Sequence, residues 1–265
     1  MKRKAAVAGA FYPGRCHEIR KMFAKFTKMA ESHFSGKTVL HYRPRAIIVP
    51  HAGYIYSGFT ANIAYKIAVN SKPERVIVIG PSHRYYFEGI SAAEYEAFQT
   101  PCGDIPIDEA YIAKIEKYFP VKFVPQAHQK EHSTEVQMPF IKYYFPNAKV
   151  VEIVYGKVSS SILAKLIYAL MKERDNLIVI STDLSHFYTL EEAKQKDNVC
   201  LNAIVKKEPS LLDRGCEACG MTGLKAILEV AKKAHLKTEL LDYRTSADAS
   251  GDTKSVVGYV SALVG

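Results

Sequence analysis

Arg45-Ala-Ile-Ile-Val-Pro-His51 and Arg75-Val-Ile-Val-Ile-Gly-Pro-Ser-His83 decide how this chain is read. Each is a near-continuous apolar, β-branched run. Runs of this length without alternation read as strands buried on both faces, as in a parallel sheet. Between them, Gly58 to Val69 has helical spacing, and the three pieces make a βαβ unit. Lys149 to Tyr155 and Asn176 to Ser181 read as two more strands, with Ser159 to Met171 as the helix between them.

The rest of the chain is read outward from this frame. Glu88 to Phe98 reads as an added strand or hairpin. Asp108 to Phe119 is an amphipathic helix that opens on two acids, as a helix N-terminus prefers. Ser133 to Phe145 reads as a helix capped at Ser133-Thr134-Glu135, with Pro139 marking a kink or an early stop. Helices over Thr189 to Lys206 and Gly220 to His235 follow, then strands over Lys237 to Thr245 and Ser255 to Val264. No Pro/Gly/Ser-rich linker and no internal repeat interrupts them. The expectation is a single α/β domain over residues 1–265, with a central mixed, mostly parallel sheet flanked by helices.

Composition narrows the function classes. A chain of 265 residues with 48% hydrophobic content can bury a large core. Its net charge of +9 comes from lysines scattered singly and in pairs, with no run of five. With no helix-turn-helix, finger, RRM or KH pattern, nucleic acid is not an expected partner. No apolar run is long enough for a membrane span, and Met1 to Phe11 does not read as a signal peptide. The expected location is therefore cytoplasmic, and the five cysteines are expected to be reduced. Cys216-Glu-Ala-Cys219 is a CxxC without a second CxxC, so a zinc site built on it alone is weakly supported. A disulfide between its two cysteines is the competing reading.

Candidate chemistry collects where strands end. Ligands of open α/β sheets bind in the crevice at the carboxyl ends of the strands. Three apolar runs end in Val49-Pro50-His51, Gly80-Pro81-Ser82-His83 and Ser181-Thr182-Asp183-Leu184-Ser185-His186. Parallel strands would bring these ends to one edge, where neutral imidazoles can bind a metal. His51 and His83 lead as ligands, with Cys219, Asp183 or His186 as the third. Two imidazoles and a thiolate suit iron, copper or zinc and not magnesium or calcium. Cys219 precedes a helix start, where the helix dipole favours thiolate. His132 and Glu135 stand three apart on one helical face, as an acid/base pair, a support for a ligand or a plain cap. Asp183 and His186 form a second candidate proton-handling pair. Tyr54, Tyr56 and Tyr85 could line a pocket.

These motifs, in order, resemble the Memo family. The matching segments are Ala6-Val7-Ala8-Gly9-Ala10-Phe11-Tyr12-Pro13, Pro50-His51-Ala52-Gly53-Tyr54-Ile55-Tyr56-Ser57-Gly58, Gly80-Pro81-Ser82-His83, His132-Ser133-Thr134-Glu135, Ser181-Thr182-Asp183-Leu184-Ser185-His186 and Ala218-Cys219-Gly220. The resemblance implies a fold like that of the class III extradiol dioxygenases of the LigB type, non-haem iron enzymes with two His and one Glu as ligands. Carried onto this chain, it makes His51, His83 and Cys219 the metal ligands. It moves His132 and His186 to the pocket wall with Asp183 beside them, and with Glu135 from the helical spacing these make the catalytic candidates His132, Glu135, Asp183 and His186. The implied cofactor is a redox or other divalent metal, iron or copper ahead of zinc, and the site is also consistent with a vestigial one that holds none. Cys219 in place of a carboxylate alters metal preference and counts against dioxygenase activity. Family association further implies phosphotyrosine-containing peptides, and AMMECR-type or radical-SAM proteins, as partners. Three functions are compatible with this: a redox metalloprotein, a non-enzymatic module binding a peptide, phosphate or small acid in the cleft, and a metal-dependent hydrolase using Glu135 or Asp183 as base.

Overall fold

In the computed structural model, which describes residues 1–34 and 38–265, the four apolar runs lie side by side. The strands are β1 (Lys2–Arg3), β2 (Ala46–Val49), β3 (Arg75–Pro81), β4 (Ile90–Ala92), β5 (Ala97–Phe98), β6 (Ile105–Pro106), β7 (Val121–Lys122), β8 (Lys149–Tyr155), β9 (Asn176–Ser181), β10 (His186–Tyr188), β11 (Thr238–Thr245) and β12 (Val256–Val264). The helices are α1 (Cys16–Phe34), α2 (Tyr54–Ala68), α3 (Glu109–Tyr118), α4 (Pro125–Gln129), α5 (His132–Glu135), α6 (Met138–Tyr144), α7 (Ser160–Met171), α8 (Leu190–Lys206), α9 (Met221–Lys233) and α10 (Ala247–Ser250).

The large sheet runs β10-β12-β2-β9-β3-β8-β4-β7, with β11 also paired to β12. Its centre, β2-β9-β3-β8, is parallel. Strand β12 joins β2 antiparallel, and β4 joins β8 antiparallel. The sheet is therefore mixed with a parallel middle, as the apolar runs require. Helices α1 and α2 pack together, with α2 over β2, β11 and β12, while α7 and α9 pair over β9. Because β2, β3 and β9 are parallel, the loops holding His51, His83 and Asp183 leave the sheet at one edge.

Several elements differ from the sequence reading. The stretch Glu88 to Phe98 is not a hairpin: β4 pairs with β8 in the large sheet, while β5 sits between β1 and β6 in a small one. The single helix over Ser133 to Phe145 is two short helices, α5 and α6, broken at Gln137 with Pro139 in the first turn of α6. Pro139 has no N–H to donate back, so it begins a helix better than it continues one. Glu131, not Ser133, caps α5, accepting from the N–H groups of His132 and Ser133. Helix α1 was not anticipated. Its buried Ile19, Phe23, Phe26 and Ala30 repeat at helical spacing, and Phe23 stacks on Phe140 at 4.4 Å, which stacks in turn on Tyr65 at 4.9 Å.

The cysteines are also corrected. Cys16 is disulfide-bonded to Cys102 and Cys200 to Cys216, which leaves Cys219 as the free thiol among the described residues. The CxxC is thus split between a cross-link to α8 and a thiol at the strand edge. Among the described residues, no helix is long and apolar enough to cross a membrane.

Candidate metal centre

The loop after β2 places His51 at the floor of the site, 2% exposed. Its backbone N–H donates to Asp183 Oδ1 at 2.7 Å, which ties the β2 and β9 loops together. Its ring Nδ1 is 3.0 Å from Ser181 Oγ, and the other ring nitrogen, Nε2, is 3.2 Å from Cys219 Sγ. The loop after β3 places His83 at the mouth. Its Nδ1 is 2.9 Å from Glu131 Oε1, and its backbone N–H donates to Glu131 Oε2 at 2.5 Å. His132, at the start of α5, closes the group. The three rings each offer a ligand atom within 4.8 Å of the others, and their centroids are 4.6–5.4 Å apart.

Two close approaches hold this geometry. A Cβ on Gly80 would lie 2.6 Å from Ser133 Oγ, so glycine lets α5 settle against the end of β3. A Cβ on Gly220 would lie 2.7 Å from Thr182 Oγ1, so glycine lets the Cys219 loop press against the end of β9. There Gly220 donates to Thr182 Oγ1 at 2.9 Å and Asp183 N–H points at Cys219 Sγ at 3.3 Å.

Burial favours the neutral form of His51, His132 and His186. Burial, with help from His83, His132 and His186, holds His51 well below the usual histidine range. Burial also lowers His132, to about 4 against an opposing pull from Glu131, and lowers His186. Burial raises Asp183 to about 7, against the hydrogen bond from His51. Burial works to raise Glu131 as well, but the His83 side-chain and backbone hydrogen bonds outweigh it and hold the carboxyl at about 2. Cys219 is pushed up to about 12 by burial and then by Asp183. The expectation of a thiolate favoured by the helix start is therefore corrected: without a cation beside it, burial wins over the dipole.

Of the sequence candidates, His51, His83, His132, Asp183 and Cys219 come together, and His186 stands beside them on β10. Glu135 does not join them. Its carboxylate accepts from the Arg3 guanidinium at 2.5 Å, from the N–H groups of Ala6 and Val7 at 2.8 Å, and from Tyr12 Oη at 2.9 Å. The reading of Glu135 as acid/base partner of His132, and as a hydrolytic base, is corrected: its lone pairs are taken up in anchoring the N-terminal segment. Glu131 was passed over in the sequence, although an acid immediately before a histidine at a helix start was the available signal.

The donor set fits a metal. Neutral imidazole offers a lone pair without loss of a proton, and two of the rings have their second nitrogen oriented by Ser181 or Glu131. The Nδ1 of His132 is buried without a hydrogen-bond partner among the described residues. Donors on one tetrahedral ion stand about 3.3–3.5 Å apart. Cys219 Sγ and His51 Nε2, 3.2 Å apart, stand slightly closer than that and would open a little around an ion, and the 4.8 Å group needs a modest closing of rings.

Fold and site together define an α/β protein with a histidine cluster at the carboxyl edge of a mixed sheet. The sequence profile described as Memo-like protein matches residues 3–263. A MEMO1 family protein of Desulfurococcus amylolyticus is 34% identical, and one of Aquifex aeolicus is 35% identical, each pair aligned over 98% of both chains. The chain belongs to the Memo family, whose fold is LigB-like. A crystal structure of an uncharacterised protein, JW3007 from Escherichia coli K12, shares that fold with a TM-score of 0.54 at 11% identity, over 83% of this chain and 100% of that one.

Proposed function

We propose that this Memo-family chain is a metalloprotein whose His51, His83 and His132 bind one redox or other divalent metal, with Cys219 as the adjoining fourth donor. The observation that carries the reading is the convergence of three imidazoles within 4.8 Å at the carboxyl edge of the parallel strands. Nitrogen and sulfur donors favour iron, copper or zinc. When bound, such a metal supplies Lewis acidity and, for iron or copper, electron transfer. The chain's own residues do the rest. Ser181 and Glu131 orient the His51 and His83 rings. Asp183, titrating at about 7 beside His51, can hold or release a proton at its carboxylate near neutral pH, so it is the proton-handling group of the site. His186 is its neighbouring partner for that role.

A second reading is favoured by exposed apolar side chains near the site in sequence. Ile55, Tyr85, Tyr86 and Phe187 are exposed and lie within a few positions of His51, His83 and His186 along the chain. Exposed apolar groups of this kind suit contact with a peptide or small molecule held over the cleft. The two readings are separated by titrating the metal-stripped protein with Co(II). Metalloprotein behaviour gives one bound ion and a sulfur-to-cobalt charge-transfer absorption that Cys219→Ala removes. Absence of saturable binding leaves only the binding-module reading.

A further inference from the structure

The acid before α5 is placed where no surface charge would be. Glu131 is fully buried, at 0% exposure, in the wall between two of the three clustered histidines. Three backbone N–H groups and one ring nitrogen converge on its carboxylate. Oε1 accepts from His132 N at 2.9 Å and Ser133 N at 2.8 Å and is 2.9 Å from His83 Nδ1, while Oε2 accepts from His83 N at 2.5 Å. The Nδ1 of His132 lies 3.4 Å from the same Oε1, just beyond hydrogen-bond length. One side chain therefore caps α5, closes the β3 loop and touches two rings.

A carboxylate can only accept, so a ring nitrogen facing it must donate. In the neutral form of His83 this places the proton on Nδ1 and leaves Nε2 as the lone-pair nitrogen. The oxygen that fixes His83 also holds the backbone of His132, so the spacing of the two rings depends on one atom of Glu131. A plain helix cap would satisfy the two α5 N–H groups and require nothing of His83.

We propose that Glu131 is a positioning residue of the histidine site, locking His83 in the Nδ1–H tautomer and setting the His83–His132 spacing. The proposal rests on the metalloprotein reading for its consequence but not for its geometry. Partners that orient a ligating histidine typically contribute 10–100-fold to metal affinity.

The test uses the full chain, with Zn(II) as probe. Imidazole nitrogen-15 shifts of the metal-free wild type report the His83 tautomer, and Zn(II) competition titrations report affinity. The expected results are an Nδ1–H tautomer in the wild type and a mixed tautomer in Glu131→Gln. Zn(II) should bind Glu131→Gln about 10–100-fold more weakly at unchanged stoichiometry. Glu131→Asp, which keeps the charge, should lose less. A wild-type His83 protonated on Nε2 overturns the proposal, as does a Gln variant within threefold of wild type. If Glu131→Gln does not fold, the wild-type tautomer and the Asp variant still decide. If the wild type binds no Zn(II), the metalloprotein reading fails while the tautomer measurement judges Glu131 alone.

Discussion

Glu135→Gln should unfold the protein earlier without emptying its metal site. The ion pair from Glu135 to Arg3 is 2.5 Å long between side chains that are 0% and 2% exposed. Removing one charge from such a pair strands the other in a low-dielectric interior, at a cost of about 3–5 kcal/mol. The amide also turns an N–H₂ toward donors that now meet oxygen, the N–H groups of Ala6 and Val7 and the Tyr12 hydroxyl. With an unfolding entropy of about 2.1 cal/mol/K per residue, a chain of 265 residues loses about 0.56 kcal/mol per kelvin near its midpoint. A loss of about 4 kcal/mol therefore lowers Tm by about 7 °C. Thermal and urea unfolding of wild type, Glu135→Gln, Arg3→Met and the Arg3→Met/Glu135→Leu pair would measure it. The double variant should recover part of the loss, because both buried charges leave together. A Glu135→Gln protein with wild-type Tm but no metal binding would refute the anchoring role and restore Glu135 to the site.

Other expectations follow from single features. Gly80→Ala should destabilise by about 1–3 kcal/mol, since its Cβ meets Ser133 Oγ at 2.6 Å and something must shift; urea midpoints read the loss, and a neutral result would mean α5 is free to move. Burial raises Asp183 to about 7, above its unfolded value, so its own contribution to the stability of the metal-free protein falls as pH rises from about 4 through 7, against the opposite contribution of the lowered His51, His132 and His186. Asp183→Asn should remove that contribution and make stability rise more with pH than in the wild type, in denaturation curves taken across the range, and an unchanged pH dependence would contradict the burial argument. Peptide mapping without reductant should find Cys16 joined to Cys102 and Cys200 to Cys216, with Cys219 open to alkylation after unfolding. On the chain-entropy account the first bond, closing an 86-residue separation, stabilises by about 4–5 kcal/mol, so Cys16→Ser should cost that much. A Cys216–Cys219 link would contradict the arrangement.

Much of the fold was legible because burial on both faces leaves a mark in composition. The runs at 149–155 and 176–181 are strands over the expected residues, and the helix between them starts within one residue of the reading. Helix α1 was missed although its apolar residues keep helical spacing, because charged residues between them hide the stripe. The short strands β1, β5 and β6 carry no periodicity at all; they exist because neighbouring chain supplies their partners. The same limit governs the site. His51 and His83 were visible because each follows an apolar strand. His132 was visible as a pocket residue through the family motif but not as a third metal donor, since only the fold of α5 against β3 brings its ring within reach of His51 and His83. Glu135 misled because sequence spacing put it on the face of His132, whereas the Arg3 guanidinium, far away in sequence, claims it.

The central claim is that His51, His83 and His132 hold one metal ion between them. It is tested most directly by equilibrium dialysis of the metal-stripped chain against Zn(II), followed by elemental analysis, for wild type and for His51→Ala, His83→Ala and His132→Ala. The account predicts one ion per wild-type chain and a sharp loss in every variant that remains folded. Full metal content in folded His51→Ala and His83→Ala would contradict it.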